Sequence, residues 1–299
     1  MPATRGNFSA LLKTNWQGVL VDVGQERPLE YPTWLNVRNM DTNPENFLQV
    51  SGLGSMQQKP EGTQFPNDQP IIGGSISPEA VPYGMLFEVT FEMYDDDLYQ
   101  IMSDMWRQEG RSCRDRQEQV AIAPLNNAFS ASFVGYDGVA LCSTSHPQLG
   151  GGVVANRGAT DFAFSVTGLQ NANFRFEART NQRGLKALMR PTRIIIDPSN
   201  KYLAREILGS SGKPQTAEND TNAMLQDEYQ VIVSHYLTTP TNWFMLAAQA
   251  QSDVYLLWRN RPMPEHFDDP FTKNGDFSLY QRLTAYFGDF IWIDGSVGA

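Results

Sequence analysis

Cysteine is nearly absent: the 299 residues contain two, Cys113 and Cys142, far apart and without the spacing of a metal knuckle. That rules out a disulfide-stapled scaffold and leaves two free thiols in a reducing compartment as the expectation, with a Cys113–Cys142 disulfide as the alternative. Histidine is scarce too. His146, His235 and His266 form no pair at zinc-ligand spacing, so no metal site is expected. No apolar run approaches the roughly 20 residues that cross a bilayer, and Met1-Pro2-Ala3-Thr4-Arg5-Gly6 lacks the apolar segment of a secretory signal. No membrane role is therefore expected. Base is in short supply: 23 Lys and Arg against 33 Asp and Glu give a net charge of −10, which argues against general attraction to nucleic acid.

Catalytic signatures are missing as well. Gly52-x-Gly54 and Gly150-Gly151-Gly152 have neither the lysine nor the glycine spacing of a phosphate loop. Asp95–Asp97 and Asp268-Asp269 lack the oxygen-ligand pattern of a calcium loop. Ser143, Ser145 and His146 are close in sequence, but no strained Gly-x-Ser-x-Gly elbow presents a nucleophile. No catalytic residue, cofactor site or metal site is assigned. A soluble Ser/His hydrolase is kept only as the reading from a different class.

What is present begins with a long thin arm. From Phe47 to Glu92 a polar first limb reaches turn chemistry at Lys59-Pro60-Glu61-Gly62 and Pro66-Asn67-Asp68. A return limb then passes Ile71, Ile72 and Ile76 and becomes a period-two strand at Met85, Phe87, Val89 and Phe91. Such an arm is marginal alone and leaves its edges unpaired, so its partner is expected on another chain. Met56, Lys59, Phe65, Ile71, Ile72 and Ile76 are the candidate contacts. Within residues 51–100 Lys59 is the sole base, facing Glu61, Asp68, Glu79, Glu88, Glu92 and Asp95–Asp97. These acids form either a solvated face or one that docks basic surfaces or cations.

At 299 residues and 41% hydrophobic content, the chain can bury a sizeable core and hold two subdomains. Phe8, Leu12, Trp16, Val19, Leu20 and Val23 share one helical stripe, with Asn7 or Ser9 as cap and Gly24 as stop. A short strand is expected at Thr33–Val37. The longest helix is expected from Asp95, its N-cap, to Pro124, which ends or bends it. Leu98, Met102, Met105 and Trp106 should face inward, and Arg107, Arg111 and Arg114 outward. That arginine stripe pairs either with Asp104, Glu118 or a neighbouring chain, or with nucleic acid; protein pairing is the expectation.

Further along come a short strand at Val139–Cys142, a mobile loop at Gly150–Gly152 and a helix over Val166–Thr180. Strands follow at Arg193–Ile196, Tyr229–Val233 and Trp243–Ala247, with a helix at Lys201–Leu208 and a polar loop at Lys213–Asn222. Strand alternation returns at Leu279–Tyr286 and Phe290–Ile293. The interleaving argues for an α+β or α/β class.

Three segments carry a resemblance. They are Asp137-Gly138-Val139-Ala140-Leu141-Cys142-Ser143-Thr144-Ser145-His146-Pro147, followed by a Gly-rich stretch and Asn156; Arg190-Pro191-Thr192-Arg193-Ile194-Ile195-Ile196-Asp197-Pro198 with Ala204–Ser210; and Glu218–Ala223 with Tyr236-Leu237-Thr238 and Asn242-Trp243-Phe244. In this order they resemble tailed-phage major capsid proteins, most of all the Mu-type major head subunit. The resemblance implies the α+β Hong Kong 97-like fold. On that pattern residues 1–33 are an N-terminal arm, 34–46 a peripheral-domain strand and 47–84 an extended loop. Residues 85–189 are a peripheral domain with a spine helix at 94–123, 190–255 an axial domain, and 256–299 the return to the peripheral domain.

It further implies a non-enzymatic subunit assembling through hexamers and pentamers into an icosahedral virion shell in the host cytoplasm. The shell would enclose double-stranded DNA without sequence-specific contact. Portal, a separate scaffold protein and a cement protein are the implied partners. The separate scaffold is expected because the sequence opens almost at once on the arm. A lysine–asparagine crosslink cannot be carried over, since only Lys59 near the arm tip can be matched. An encapsulin-type compartment shares the fold and is the alternative.

Overall fold

Two long C-terminal strands, β10 (Val254–Asp268) and β11 (Gly275–Phe287), pair antiparallel and form the centre of the first sheet. The computed structural model describes residues 16, 18–20, 22–23, 28–90, 92–93, 96, 101–210, 212, 222, 224, 228–269, 271–272 and 274–298. β4 (Val81–Val89) adds antiparallel to β11, and β1 (Asn36–Asn39) adds parallel to β10, for the order β1-β10-β11-β4. The alternation of β11 is clear in its burial: Phe277, Leu279, Gln281, Leu283 and Ala285 face inward.

Helix α1 (Ile101–Asn126) lies across this sheet. Met102 and Trp106 are buried against Val89 and Phe277, and the Trp106 and Phe277 rings meet edge-on at 5.3 Å. Met105 is half-buried, while Leu98 and the Asp95 cap lie outside the described residues. The helix passes through Pro124 instead of ending there. A proline in the last turn forfeits one ladder bond, Asn127 N–H still reaches Ala123 O at 3.0 Å, and Leu125 is driven into the core. Residues 16, 18–20 and 22–23 are helical and cross α1 at Gly110, where a Cβ would sit 3.0 Å from Leu20 Cδ2. Glycine's helix penalty is thus offset by a close crossing. Trp16 and Val23 are buried as the stripe predicts, and Phe8 and Leu12 lie outside the described residues.

The second sheet has the order β12-β9-β7-β8. It is built from β7 (Arg193–Ile196), β8 (Gln230–Val233), β9 (Trp243–Leu246) and β12 (Ile293–Ser296). Helix α2 (Val166–Ala178) packs on β12, capped by Ser165 Oγ accepting from Gly168 N–H at 3.2 Å. Helix α3 (Lys201–Gly209) joins the same cluster through Ala204 and Ile207, which pack with Leu169, Ala172, Ile194 and Ile196. Asp197 stops β7 and caps the next turn, accepting from Ser199 N–H at 2.8 Å. One continuous core joins both sheets through Leu125, Leu141, Phe244, Leu256, Leu283 and Trp292.

Several expectations are corrected. Thr33 belongs to a 3-10 turn (Tyr31–Thr33) begun by Pro32, and the strand starts only at Asn36. Val139–Cys142 is not a strand: Ala140 makes a single bridge to Val134, while Leu141 and Cys142 turn into the core. The Gly150–Gly152 stretch is the tight turn between β5 (His146–Pro147) and β6 (Val153–Val154), with positive φ at Gly151 and Gly152. The terminal strand begins at Ile293, beyond the expected Phe290. Most of the 213–222 loop lies outside the described residues.

Candidate assembly surface

The arm is anchored at its root by its own subunit. β2 (Phe47–Val50) and β3 (Ile72–Ile76) pair antiparallel, and Ser51 and Ile71 close the pairing: Ser51 N–H donates to Ile71 O at 2.9 Å, and Ile71 N–H to Ser51 Oγ at 2.9 Å. Phe47 stacks on Tyr286 at 4.6 Å, and Ile76 packs against the cluster of Met40, Ala80, Leu257 and Tyr286. Gly74 approaches the Tyr136 carbonyl so closely that a Cβ would lie 2.0 Å from it. Ile76 therefore serves the arm's own subunit, and Ile71 is half-buried there.

Beyond the root, residues 52–70 have no strand partner among the described residues. Leu53, Met56 and Phe65 are exposed on this limb, and Ile72 is exposed on the root. The predicted turn forms at Pro60–Thr63, with Gly62 at φ 75°. Lys59 Nζ lies over the Phe65 ring at 4.6 Å. An ion pair ties the limb back: Asp68 accepts from Arg183, and also from Gly54 N–H at 2.5 Å. The Gly54 bond, with the arginine, holds the Asp68 carboxyl below its usual range. Sequence reasoning missed Arg183, because nothing local marks a residue that meets its partner 115 positions away.

On α1, Arg111 is exposed and Arg107 and Arg114 are half-buried. Arg107 pairs with Asp104 at 3.3 Å. Glu118 turns inward, accepting from Glu30 N–H at 2.5 Å and Tyr31 N–H at 3.4 Å. It is an inward cap for the turn at Tyr31, a role its place near the arginines did not suggest.

Further exposed apolar side chains were hidden from sequence reasoning. Met85 and Leu86, on opposite faces of edge strand β4, and Phe267 and Phe271 at the far end of the β10–β11 hairpin are exposed. Edge strands with uncovered apolar side chains are ready surfaces for association.

The Ser143–His146 segment has a structural arrangement. His146 is buried and stacked on Phe290 at 3.7 Å; its Nδ1 meets Asp137 Oδ2 at 2.5 Å and its Nε2 meets Asn156 Oδ1 at 2.9 Å. Asn156 in turn bonds Ser143 N–H at 2.7 Å and Leu141 O at 2.6 Å. Ser143 Oγ accepts from Ser145 N–H at 3.2 Å. The imidazole thus sits between Asp137 and Asn156, with both nitrogens used to pin a bend. Cys113 and Cys142 are both thiols, and burial pushes Cys113 up to about 11, which makes it a poor nucleophile.

Two buried arginines brace the frame. Arg193 donates to the carbonyls of Thr33, Trp34 and Ala247 and to Ser252 Oγ, with burial lowering it to about 10. Arg179 meets Asp294, which also accepts from Arg175 Nη2 at 2.7 Å, and reaches the carbonyls of Ile291 and Ile293.

Residues 75–293 match the family described as phage capsid protein. No curated protein matches the chain in sequence. Solved structures share its fold over nearly its whole length. The capsid of a native GTA particle is 10% identical with a TM-score of 0.62, covering 90% of this chain and 90% of that one. The virus-like particle from Pyrococcus furiosus is 9% identical with a TM-score of 0.54, over 95% and 98%. The capsid of Myoviridae Phage XM1 is 8% identical with a TM-score of 0.56, over 90% and 90%. At such identities the likeness is one of fold.

Proposed function

The chain belongs to the phage capsid protein family, and on that premise we propose how it builds a shell. It is a major capsid protein of a tailed phage with the Hong Kong 97-like fold. The proposed working unit is a ring of copies, hexamers and pentamers closing into an icosahedral head. Residues 1–33 serve as N-terminal arm, 47–84 as extended loop, 85–189 and 256–299 as peripheral domain, and 190–255 as axial domain.

The observation that carries this reading is the limb 52–70, which leaves Leu53, Met56 and Phe65 in solvent while its root is pinned by Gly74, Phe47 and Ile76. A rigid root with a bare apolar limb is the geometry of an element that lies across another subunit. Met56, Lys59, Phe65 and Ile72 are the contacts proposed for it. Many such small contacts, each weak alone, sum around a closed shell. The proposed role is non-enzymatic, and the work is geometric.

The acidic balance, with net charge −10, suits a container from which packaged DNA must not stick. The proposal extends to assembly in the host cytoplasm with a portal and a separate scaffold protein, and to an optional cement protein. Removing residues 53–70 and following assembly by light scattering tests the arm's role. Soluble, folded subunits that fail to assemble support it, and shells formed in normal yield contradict it.

A further inference from the structure

A buried polar contact fastens the helical segment holding Trp16 to α1. Trp16 Nε1–H donates to Glu109 Oε2 at 3.0 Å, and both residues are buried. Around that contact the interface is apolar. Trp16 meets Phe277 edge-on at 5.4 Å, and Leu20 and Val23 close over Gly110. The second carboxyl oxygen, Oε1, has no hydrogen bond among the described residues. Glu109 also lines a groove of about 170 Å³ with Tyr83, Met85, Ser112, Cys113, Arg116, Leu279 and Gln281. The titratable or charged groups facing it there are Tyr83 from β4 and Cys113 and Arg116 from α1, while β11 presents the neutral Leu279 and Gln281. Arg116 is held over the Tyr83 ring at 5.3 Å. His266 lies against Phe277, at 4.5 Å, and Asp22 on the Trp16 segment is exposed.

We propose that Glu109 is a proton-operated latch for the N-terminal segment, which docks on α1 more tightly when the carboxyl is protonated. A neutral carboxyl still accepts the indole hydrogen bond and leaves no charge in the apolar interface; a carboxylate leaves one oxygen charged and unpaired. Burial supports the same reading by raising Glu109 from 4.5 to about 7, against the smaller lowering pull of the Trp16 bond. The folded value is the higher one, so docking is strongest below the free carboxyl's range. It weakens as pH rises towards 7 and is level above that. The latch would let the segment seat under mild acid and loosen at neutral pH, whether or not the subunit stands in a shell.

Amide hydrogen exchange of residues 18–23 in the full-length chain, corrected for intrinsic rates, tests this between pH 5 and 8. Protection should fall by about tenfold per pH unit between pH 5 and about 7 and then stay flat. Glu109→Gln, which keeps the acceptor and cannot ionise, should be protected equally throughout. A flat wild-type profile, or the same fall in Glu109→Gln, overturns the proposal. Should Glu109→Gln fail to fold, the Glu109 carboxyl carbon in the wild-type chain is followed by NMR. A midpoint near 7 supports the latch, and one in the ordinary glutamate range overturns it.

Discussion

Arg183 reaches from the loop after α2 to Asp68 on the exposed limb of the arm, and this ion pair is what returns the limb to its own subunit. Asp68 also accepts from Gly54 N–H, so one carboxylate gathers both sides of the limb. Its depressed folded value means the tether is present above the usual Asp range and is lost as pH falls through the lowered value. Asp68→Asn should free residues 52–70 without unfolding the subunit. Amide exchange on the limb should rise to the unprotected rate while the core strands β10 and β11 keep their protection. Unchanged exchange on the limb would show that the ion pair holds nothing.

Trp106 fills the space between α1 and the first sheet, edge-on to Phe277 and beside Met102 and Val89. Truncation to alanine removes its ring contacts and opens a cavity, at a cost of about 3–5 kcal/mol. Urea unfolding of Trp106→Ala should give a correspondingly lower midpoint with an unchanged slope. A loss under about 1 kcal/mol would mean that the helix is not seated through this residue.

Asp294 is buried between Arg175 and Arg179 and joins α2 to β12. Asp294→Asn keeps the volume but leaves Arg179 buried without its counter-charge, a loss of about 3–5 kcal/mol. Calorimetry of this variant should show a large drop in melting temperature. Asp294→Asn with Arg179→Met should recover part of it, because the stranded charge is removed. A single variant as stable as wild type would contradict the bracing role.

Arg107, Arg111 and Arg114 share one side of α1, with Asp104 as the carboxylate seen beside Arg107. On the protein-pairing reading, replacing all three with glutamine weakens assembly and leaves the DNA content of surviving particles nearly unchanged. Particle yield by sedimentation and DNA content by absorbance ratio measure the two effects separately. Normal shells that fail to retain DNA would assign the stripe to DNA.

The parts of the fold legible in sequence were those whose cause is local. The helix expected over Val166–Thr180 rests on the spacing of Leu169, Ala172 and Phe176 and forms at Val166–Ala178; β7 rests on three isoleucines between Arg193 and Asp197, and the arm on its turn residues. Strand β10 was not expected, and its sequence carries Pro262 and Pro264 where an uninterrupted strand would not. Prolines are tolerated there since β1 pairs only as far as Trp258, and register shifts between Trp258, Asn260 and Met263 absorb the irregularity. The arm's exposed limb was visible as composition. Its tether to Arg183 and the exposure of Met85, Leu86 and Phe267 were not, because each depends on neighbours distant in sequence.

Electron microscopy of the purified full-length chain, beside the variant lacking residues 53–70, tests the central claim most directly. The account predicts closed, regular shells with five- and six-fold capsomers from the full chain, alone or with a scaffold protein supplied. It predicts only dispersed, folded subunits from the shortened one. Dispersed subunits from the full chain under every condition, or shells of normal form from the shortened one, would contradict it.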